Sequence, residues 1–357
     1  MENIEFNFDG TDYAIIKFGN SISPQINERV RSVCEYFESL SQKKELPDSI
    51  VEWVPTYCTV CVYYNPLRIS LAKIKKILYE SVKFNGAAKG NSGTLHEIPV
   101  CYEDEFSPDM KNVCAHSGLS KEEVVAAHTS PVYTVYMLGF LPGFAYLGGM
   151  DERLETPRLE VPRVKIPAGS VAIGGRQTGV YPVDSPGGWQ IIGRTNVKPY
   201  DVFRNPKILF RAGDKIKFRA VTKDEFALLE KQSVGEDSCG GECAKERYVA
   251  TSGIKILSAG AGTFIETAGV RGLQKDGFNC GGAMDECAMI LANIIAGNIP
   301  KAAVLESTLL GPEVEFNGEC DFCITGADQN ATLDGTPVAL YTKVHAKAGS
   351  ILVTTCT

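Results

Sequence analysis

Residues 133–195 read YTVYMLGFLPGFAYLGGMDERLETPRLEVPRVKIPAGSVAIGGRQTGVYPVDSPGGWQIIGRT. A strand-like run, Val132 to Leu138, enters turns at Gly139, Pro142, Gly143, Gly148 and Gly149. Proline fixes φ and glycine frees it, so a stretch rich in both is a shaped loop system on a rigid scaffold, a common carrier of function. Arginines stand at 158, 163, 176 and 194. Downstream, Ile208 to Arg219 holds two more strand-like runs around Ala212-Gly213-Asp214. Just upstream, Ser120 with Glu123 forms a capping box that opens a helix ending near His128. Short strands, Gly/Pro punctuation and one helix predict a compact β-barrel.

Before this barrel the pattern is βαββαβ. Asp12 to Lys17 is a strand, and Ser23-Pro24 is an N-cap followed by proline in the first turn. Ile26, Val30, Val33, Phe37 and Leu40 form a helical apolar stripe. Ile50 to Val54 and Thr59 to Tyr64 are strands, Ser70 caps a second helix through Leu71, Ile74, Leu78 and Val82, and His96 to Tyr102 closes as a strand. This is the ferredoxin-like order, which by itself implies no activity. Gly86 to Gly93 has the glycines of a phosphate loop without its Lys-Ser/Thr pair, so it reads as a plain loop.

After a helix from Lys223 to Lys231 the composition turns polar and glycine-bearing, which marks residues 235–252 as a linker. Beyond it lie a strand from Ile254 to Leu257, a helix from Met284 to Ala296 stopped by Gly297, and hairpin signals at Asn317-Gly318 and Asp334-Gly335. The last strand, Ile351 to Val353, comes close to the final residue, which predicts a domain that is incomplete or finished by another chain. The expected class is α+β, with domains at 1–102, 103–234 and 253–357 and the linker at 235–252.

The 43 acidic residues outnumber the 36 basic ones, and no lysine- or arginine-rich run is present, so bulk nucleic-acid binding is disfavoured. No apolar stretch is long enough for a bilayer, and the acidic start MENIEFNFDG is unlike a signal peptide, which makes the cytoplasm the expected location and no membrane partner the expectation. The twelve cysteines read as small free hydrophobes in a reducing compartment. Cys58/Cys61 and Cys320/Cys323 have CxxC spacing within strand-like runs, where residues three apart face opposite ways. Cys239 and Cys243 sit in a loop where chelation is geometrically open, yet a zinc site needs four ligands, so no metal is expected.

The 128–195 region carries the candidate chemistry. His128, at a helix end, either caps carbonyls or transfers protons. Arg158, Arg163 and Arg176 offer forks for carboxylate or phosphate. Asp184 and Ser185, followed by Pro186, Gly187, Gly188 and Trp189, place a carboxylate and a hydroxyl either beside an aromatic wall or in an Asx-type turn with the indole in the core. Gln177, Thr178 and Tyr181 add amide and hydroxyl groups. These residues define a pocket for a small anionic or amide-bearing ligand and no particular reaction. Walker, nucleophile-elbow, HExxH and dinucleotide motifs are absent from the sequence.

GFLPGFAYLGG (139–149), TPR (156–158), IPAGSVAIGGRQTGVYP (166–182) and DSPGGWQIIGRT (184–195), with EIPVCYEDEFSPDM (97–110) and LSKEEVVAAHTSPVYTVYMLGF (119–140), resemble the B subunit of the bacterial ATP-dependent 5-oxoprolinase. That family is also called kinase-inhibitor-like or allophanate-hydrolase-subunit-1. The resemblance covers about 12–220 and implies a ferredoxin-like domain followed by a cyclophilin-like β-barrel. GGAMD (281–285), LANIIAGN (291–298), LESTLLGPEVEF (305–316), ITGAD (324–328), ATLDG (331–335) and AGSIL (348–352) resemble the first half of the same enzyme's C subunit, a biotin-dependent carboxyltransferase-like module, which implies a partial second cyclophilin-like β module. One segment departs: TFIETAGV (263–270) has Glu266, Thr267 and Val270 where the C subunit carries Gln, Asp and Arg.

The resemblance implies ATP-driven opening of 5-oxoproline to glutamate in a hetero-oligomer with A-type and the remaining C-type 5-oxoprolinase subunits. ATP would act at the level of the complex, and the chain lacks a covalent biotin site. Opening a lactam needs donors for a developing oxyanion and a clamp for the substrate carboxylate. The assignment is then Arg158, Arg163 or Arg176 as clamp, Gln177 with the 184–188 backbone orienting the lactam, His128 moving protons, Asp184 in the catalytic set, and Thr178, Tyr181, Ser185, Gly187, Gly188 and Trp189 against the substrate. Two other functions fit the resemblance: carboxyl transfer to urea or a related amide, and non-catalytic binding like that of histidine-kinase inhibitors.

Overall fold

The computed structural model describes residues 4–8, 10–84, 93–236 and 253–354. They fall into two compact units. One comprises residues 1–240 with the returning segment Arg271–Asn279, the other residues 241–270 and 280–357.

The first unit opens with strands β1 (Glu5–Asn7) and β2 (Tyr13–Lys17), helix α1 (Pro24–Gln42), strands β3 (Ile50–Pro55) and β4 (Thr59–Tyr64), and helix α2 (Leu71–Ser81). Ser23 accepts from the Ile26 amide and Ser70 from the Lys73 amide, so both sequence-derived caps form. The stripes of α1 and α2 bury Val30, Phe37, Ile74 and Leu78 against Ile16 and Val60 of the sheet. The sheet order is β1-β2-β4-β3.

Here one expectation is corrected. The strand read as closing this sheet, β5 (Leu95–Cys101), runs instead in the barrel, while β1 takes the edge beside β2. Strand β5 lies parallel to a strand far downstream, β13 (Lys215–Val221), in register from Leu95↔Lys215 to Cys101↔Val221. Its inward residues Ile98 and Val100 pack in the core that holds Tyr133, Ile216 and Phe218, and that burial decides its partner.

Helices α3 (Met110–Ser117), α4 (Lys121–Thr129) and α5 (Lys223–Glu236) and strands β6 (Tyr133–Leu138), β7 (Ala145–Gly148), β8 (Arg163–Ile166), β9 (Ser170–Gly174), β10 (Gln177–Val180), β11 (Ser185–Gly187) and β12 (Gln190–Arg194) complete the unit. The barrel closes in the order β10-β7-β6-β13-β5-β12-β9, and β8 with β11 forms a separate ribbon. The Ser120–Glu123 capping box at α4 is complete in both directions.

The second unit contains β14 (Ile254–Ser258), β15 (Thr263–Glu266), α6 (Glu286–Ala296), β16 (Val304–Ser307), β17 (Glu313–Phe316), β18 (Cys320–Phe322), β19 (Thr332–Leu333), β20 (Thr336–Pro337), β21 (Val344–Ala346) and β22 (Ile351–Val353). Its sheets are β14-β17-β22-β19-β20 and the ribbons β15-β16 and β18-β21. Asp334-Gly335 makes its hairpin, with φ of 50° and 78°, as a type I′ turn requires. Asn317-Gly318 does not: β17 pairs with β14 and β22, and β18 with β21. Gly297 ends α6 at φ 93°. The core is small, centred on Val314, Phe316 and Leu352, and β14 is exposed along its whole length. Cys239, Cys243, most of the 235–252 linker and the 86–92 loop lie outside the described residues.

Candidate functional site

A cavity of about 290 Å³ opens beside the barrel, lined by Phe140, Phe144, Tyr146, Arg158, Pro162, Tyr181 and the run Pro186 to Trp189. Its floor is built by period-2 geometry. Phe144 and Tyr146, two apart at the start of β7, turn rings the same way. Both meet Trp189 edge-on, with centroids 5.4 and 6.2 Å apart. Trp189 lies against glycine backbone: a Cβ on Gly174 would come within 2.6 Å of the indole. A Cβ on Gly187 would crowd the Tyr181 hydroxyl. These two glycines are therefore the means by which aromatic rings approach barrel strand β9 and ribbon strand β11 so closely.

Arg158 supplies the charge. Its guanidinium carbon stands 5.9 Å from the Trp189 ring centroid, and it has no ion-pair partner among the described residues. Burial raises the Tyr146 phenol above its ordinary pKa and the Arg158 charge pulls the other way. Tyr181 is raised by burial too, opposed by a backbone hydrogen bond at Trp189 and then by Arg158. Both phenols thus remain neutral donors beside the cation. An aromatic box with one uncommitted guanidinium suits a small planar anion.

The other arginines are committed elsewhere. Arg163 donates from Nη2 to Asp109 Oδ1 at 2.6 Å, and the second Asp109 oxygen accepts from the Ile191 amide at 2.7 Å. Arg163 therefore ties β8 to the start of α3 and strand β12. Arg176 pairs with Glu155 at 2.9 Å in solvent. Arg194 stands 6.0 Å over Phe106, away from the cavity lining. Of the three proposed clamps, only Arg158 faces the cavity.

His128 is fully buried and stacks on Phe218 at 4.6 Å. The Thr178 hydroxyl donates to the Ala172 carbonyl, so it accepts from His128 Nε2–H at 2.8 Å. That fixes the tautomer and leaves Nδ1 to accept from the Tyr102 hydroxyl at 2.7 Å. Burial pulls its pKa down to about 3. The histidine and Thr178 are thus placed in the barrel core, apart from the cavity lining, in contrast to the expected proton-transfer and substrate contacts.

Asp184 accepts from the Ala168 amide and pairs with Lys165 at 2.8 Å on the exposed side of the turn, and the lysine hydrogen bond chiefly holds its pKa low. The carboxylate thus bridges across to the 165–168 segment instead of forming an Asx-type turn with its own backbone, while Trp189 is buried as the second alternative expected. Ser185 is buried, and its Oγ has no partner among the described residues. Gln177 donates to the Tyr57 hydroxyl, so its amide joins the barrel to the N-terminal sheet. From the expected set the cavity gathers Arg158, Tyr181, Gly187, Gly188 and Trp189. It adds Phe140, Phe144, Tyr146, Pro162 and Pro186, for which the aromatic i, i+2 spacing at 144 and 146 was the available signal. Within the departing 263–270 segment of the second unit, the Thr267 hydroxyl accepts from the Gly269 amide and Val270 is exposed. Among the described residues no cluster of three metal-binding side chains occurs, and no helix is long and apolar enough to cross a membrane.

A closed barrel bearing an arginine–aromatic cavity, preceded by a small α/β sheet and followed by an open β module, defines a carboxyltransferase-type chain. The protein belongs to the family described as "Carboxyltransferase domain, subdomain C and D", which residues 4–210 match, and residues 276–356 match "Carboxyltransferase domain, subdomain A and B". More particularly, it is 38% identical over 234 residues to the 5-oxoprolinase B subunit of Bacillus subtilis (strain 168), covering 63% of this chain and 95% of that one. It is 35% identical over 99 residues to the 5-oxoprolinase C subunit of Haemophilus influenzae, 28% of this chain and 32% of that one. The crystal structure of TTHA0988 superposes with a TM-score of 0.75 at 27% identity over 97% of this chain. The present chain spans 65% of TTHA0988.

Proposed function

We propose that this chain is a component of an ATP-dependent 5-oxoprolinase and that the Arg158 cavity receives 5-oxoproline. The observation that carries the reading is the uncommitted Arg158 guanidinium over Trp189 in a cavity walled by Phe144, Tyr146 and Tyr181, within a chain similar to a 5-oxoprolinase B subunit over nearly that relative's whole length. Arg158 would hold the carboxylate, the rings would cover the apolar ring face, and the 186–188 backbone would face the lactam edge. Phosphoryl transfer from ATP to the lactam oxygen releases ADP. Attack of one water at that carbon and rupture of the C–N bond with protonation of the nitrogen leave an acyl phosphate, and a second water hydrolyses it to glutamate and free phosphate. A cavity of about 290 Å³ with one guanidinium does not fit a nucleoside triphosphate, so this cavity is assigned to 5-oxoproline alone and ATP to the level of the complex. The exposed apolar side chains of β14 and β15, Ile254, Ile256, Phe264 and Ile265, support a role as one member of a larger assembly.

The test is the chain reconstituted with A-type and C-type 5-oxoprolinase partners, ATP and 5-oxoproline, with glutamate and ADP measured. Arg158→Ala is expected to raise KM for 5-oxoproline about 10–100-fold, the worth of one charged hydrogen-bonding group. Unchanged KM refutes the site. The match of residues 276–356 to carboxyltransferase subdomains A and B supports a second reading, carboxyl transfer to urea or a related amide, and strict dependence on bicarbonate would favour it.

A further inference from the structure

The segment Arg271–Asn279 leaves the second half of the sequence and packs in the first unit. Glu52, only 3% exposed, accepts from the Gly272 amide on one carboxylate oxygen and from the Gln274 amide on the other, both at 3.0 Å. A buried carboxylate is costly without partners, and here the partners come from the segment's backbone. Arg271 pairs with Asp12 at 3.1 Å, and Phe278 meets Tyr200 edge-on at 5.6 Å.

The far end of the segment reaches the cavity wall. The Asp276 carbonyl accepts from the Gly143 amide at 3.1 Å. Gly277, at φ 88°, lies so close to the 141–143 backbone that a Cβ would overlap the Leu141 carbonyl oxygen. Immediately before these contacts the chain carries Phe140 at φ 68°, a conformation costly for a bulky residue and maintained only where its surroundings impose it. Phe140 and Phe144 both line the cavity. On its other side the same turn is closed in by Pro199, whose carbonyl oxygen would lie 2.9 Å from a Cβ on Gly143.

We propose that Arg271–Asn279 is a positioning element of the cavity: by gripping the Leu141–Gly143 backbone it fixes the Phe140–Phe144 wall, so the ligand site is formed only with this segment docked. The segment runs into the part that matches subdomains A and B, which begins at residue 276. Docking would therefore couple occupancy of the site to the presence of that part. The inference rests on the cavity being the substrate site, although its first readout needs no substrate.

The full chain is compared with Gly277→Ala, Glu52→Gln and the control Gly118→Ala, a left-handed helix-end glycine with open space around it. Hydrogen exchange is followed in peptides covering 139–148 and 271–279. Gly277→Ala and Glu52→Gln are expected to speed exchange of the 139–144 amides about tenfold or more, with the control unchanged. In the reconstituted complex both variants should raise KM for 5-oxoproline several-fold and leave kcat within about twofold. Faster exchange at 271–279 with 139–144 still protected would overturn the proposal, as would protection of both peptides in both variants. A responsive 139–144 peptide in a complex that does not turn over 5-oxoproline would sink the functional reading and leave the positioning role standing.

Discussion

His128 makes the protein acid-labile in a window set by a single buried imidazole. An exposed histidine titrates near 6.5, whereas burial draws His128 down to about 3. A group whose folded-state pKa lies below its unfolded value takes up a proton on unfolding, so stability is fully present above pH 6.5 and is lost as pH falls toward 3. Each pH unit within that window is worth about 1.4 kcal/mol, so the step from pH 6.5 to 5 removes about 2 kcal/mol before most carboxylates titrate. His128→Gln removes the titration. It keeps a donor toward Thr178 but loses the fit to Tyr102 and the stack on Phe218, a penalty that does not vary with pH. The assay is denaturant unfolding of both proteins from pH 7.5 to 5, with ΔG plotted against pH. The wild-type curve should fall more steeply, and the two curves should converge by about 2 kcal/mol at pH 5. Subtraction cancels the remaining titrating groups common to both proteins. Parallel curves would refute the reasoning, because they would mean that His128 titrates alike in the folded and unfolded chains.

Arg163→Ala should cost about 2–3 kcal/mol in denaturant unfolding, since it strands the Asp109 carboxylate, whose side chain is only 4% exposed. Gly174→Ala should cost about 2 kcal/mol through overlap with the indole and shift the Trp189 emission, which a Trp53→Phe background isolates. Arg176→Ala breaks an exposed pair with Glu155 and should leave both melting temperature and turnover unchanged, unlike Arg158→Ala.

The helices of the N-terminal sheet were legible because their signals are local: a serine cap, an adjacent proline, and apolar residues at helical spacing. The fate of Leu95–Cys101 was not. Alternation of Ile98 and Val100 declares a strand with one buried face, but the same alternation serves any sheet. Pairing with β13 follows from how the barrel closes, and no window around residue 98 contains that information. Asn317-Gly318 failed for a related reason: the turn chemistry is right, but β17 finds both edges occupied by β14 and β22.

The same distinction separates the residue types of the site from its geometry. Sequence supplies four guanidiniums within one stretch and cannot rank them, because the ranking is made by the partners that folding brings to each. Asp109 takes Arg163 and Glu155 takes Arg176, and Arg158 is left over the indole. His128 is decided likewise, by Tyr102 and Thr178 on either side of it. With a net charge of −7 the chain offers an anionic ligand no long-range attraction. On the proposed reading, selection of a carboxylate therefore falls to short-range contacts at the cavity, where the solvent-exposed Arg158 lies over the Trp189 ring. The rings would then belong to the anion site by fixing where the guanidinium stands: a ring displaced from Arg158 loosens the clamp without touching its charge.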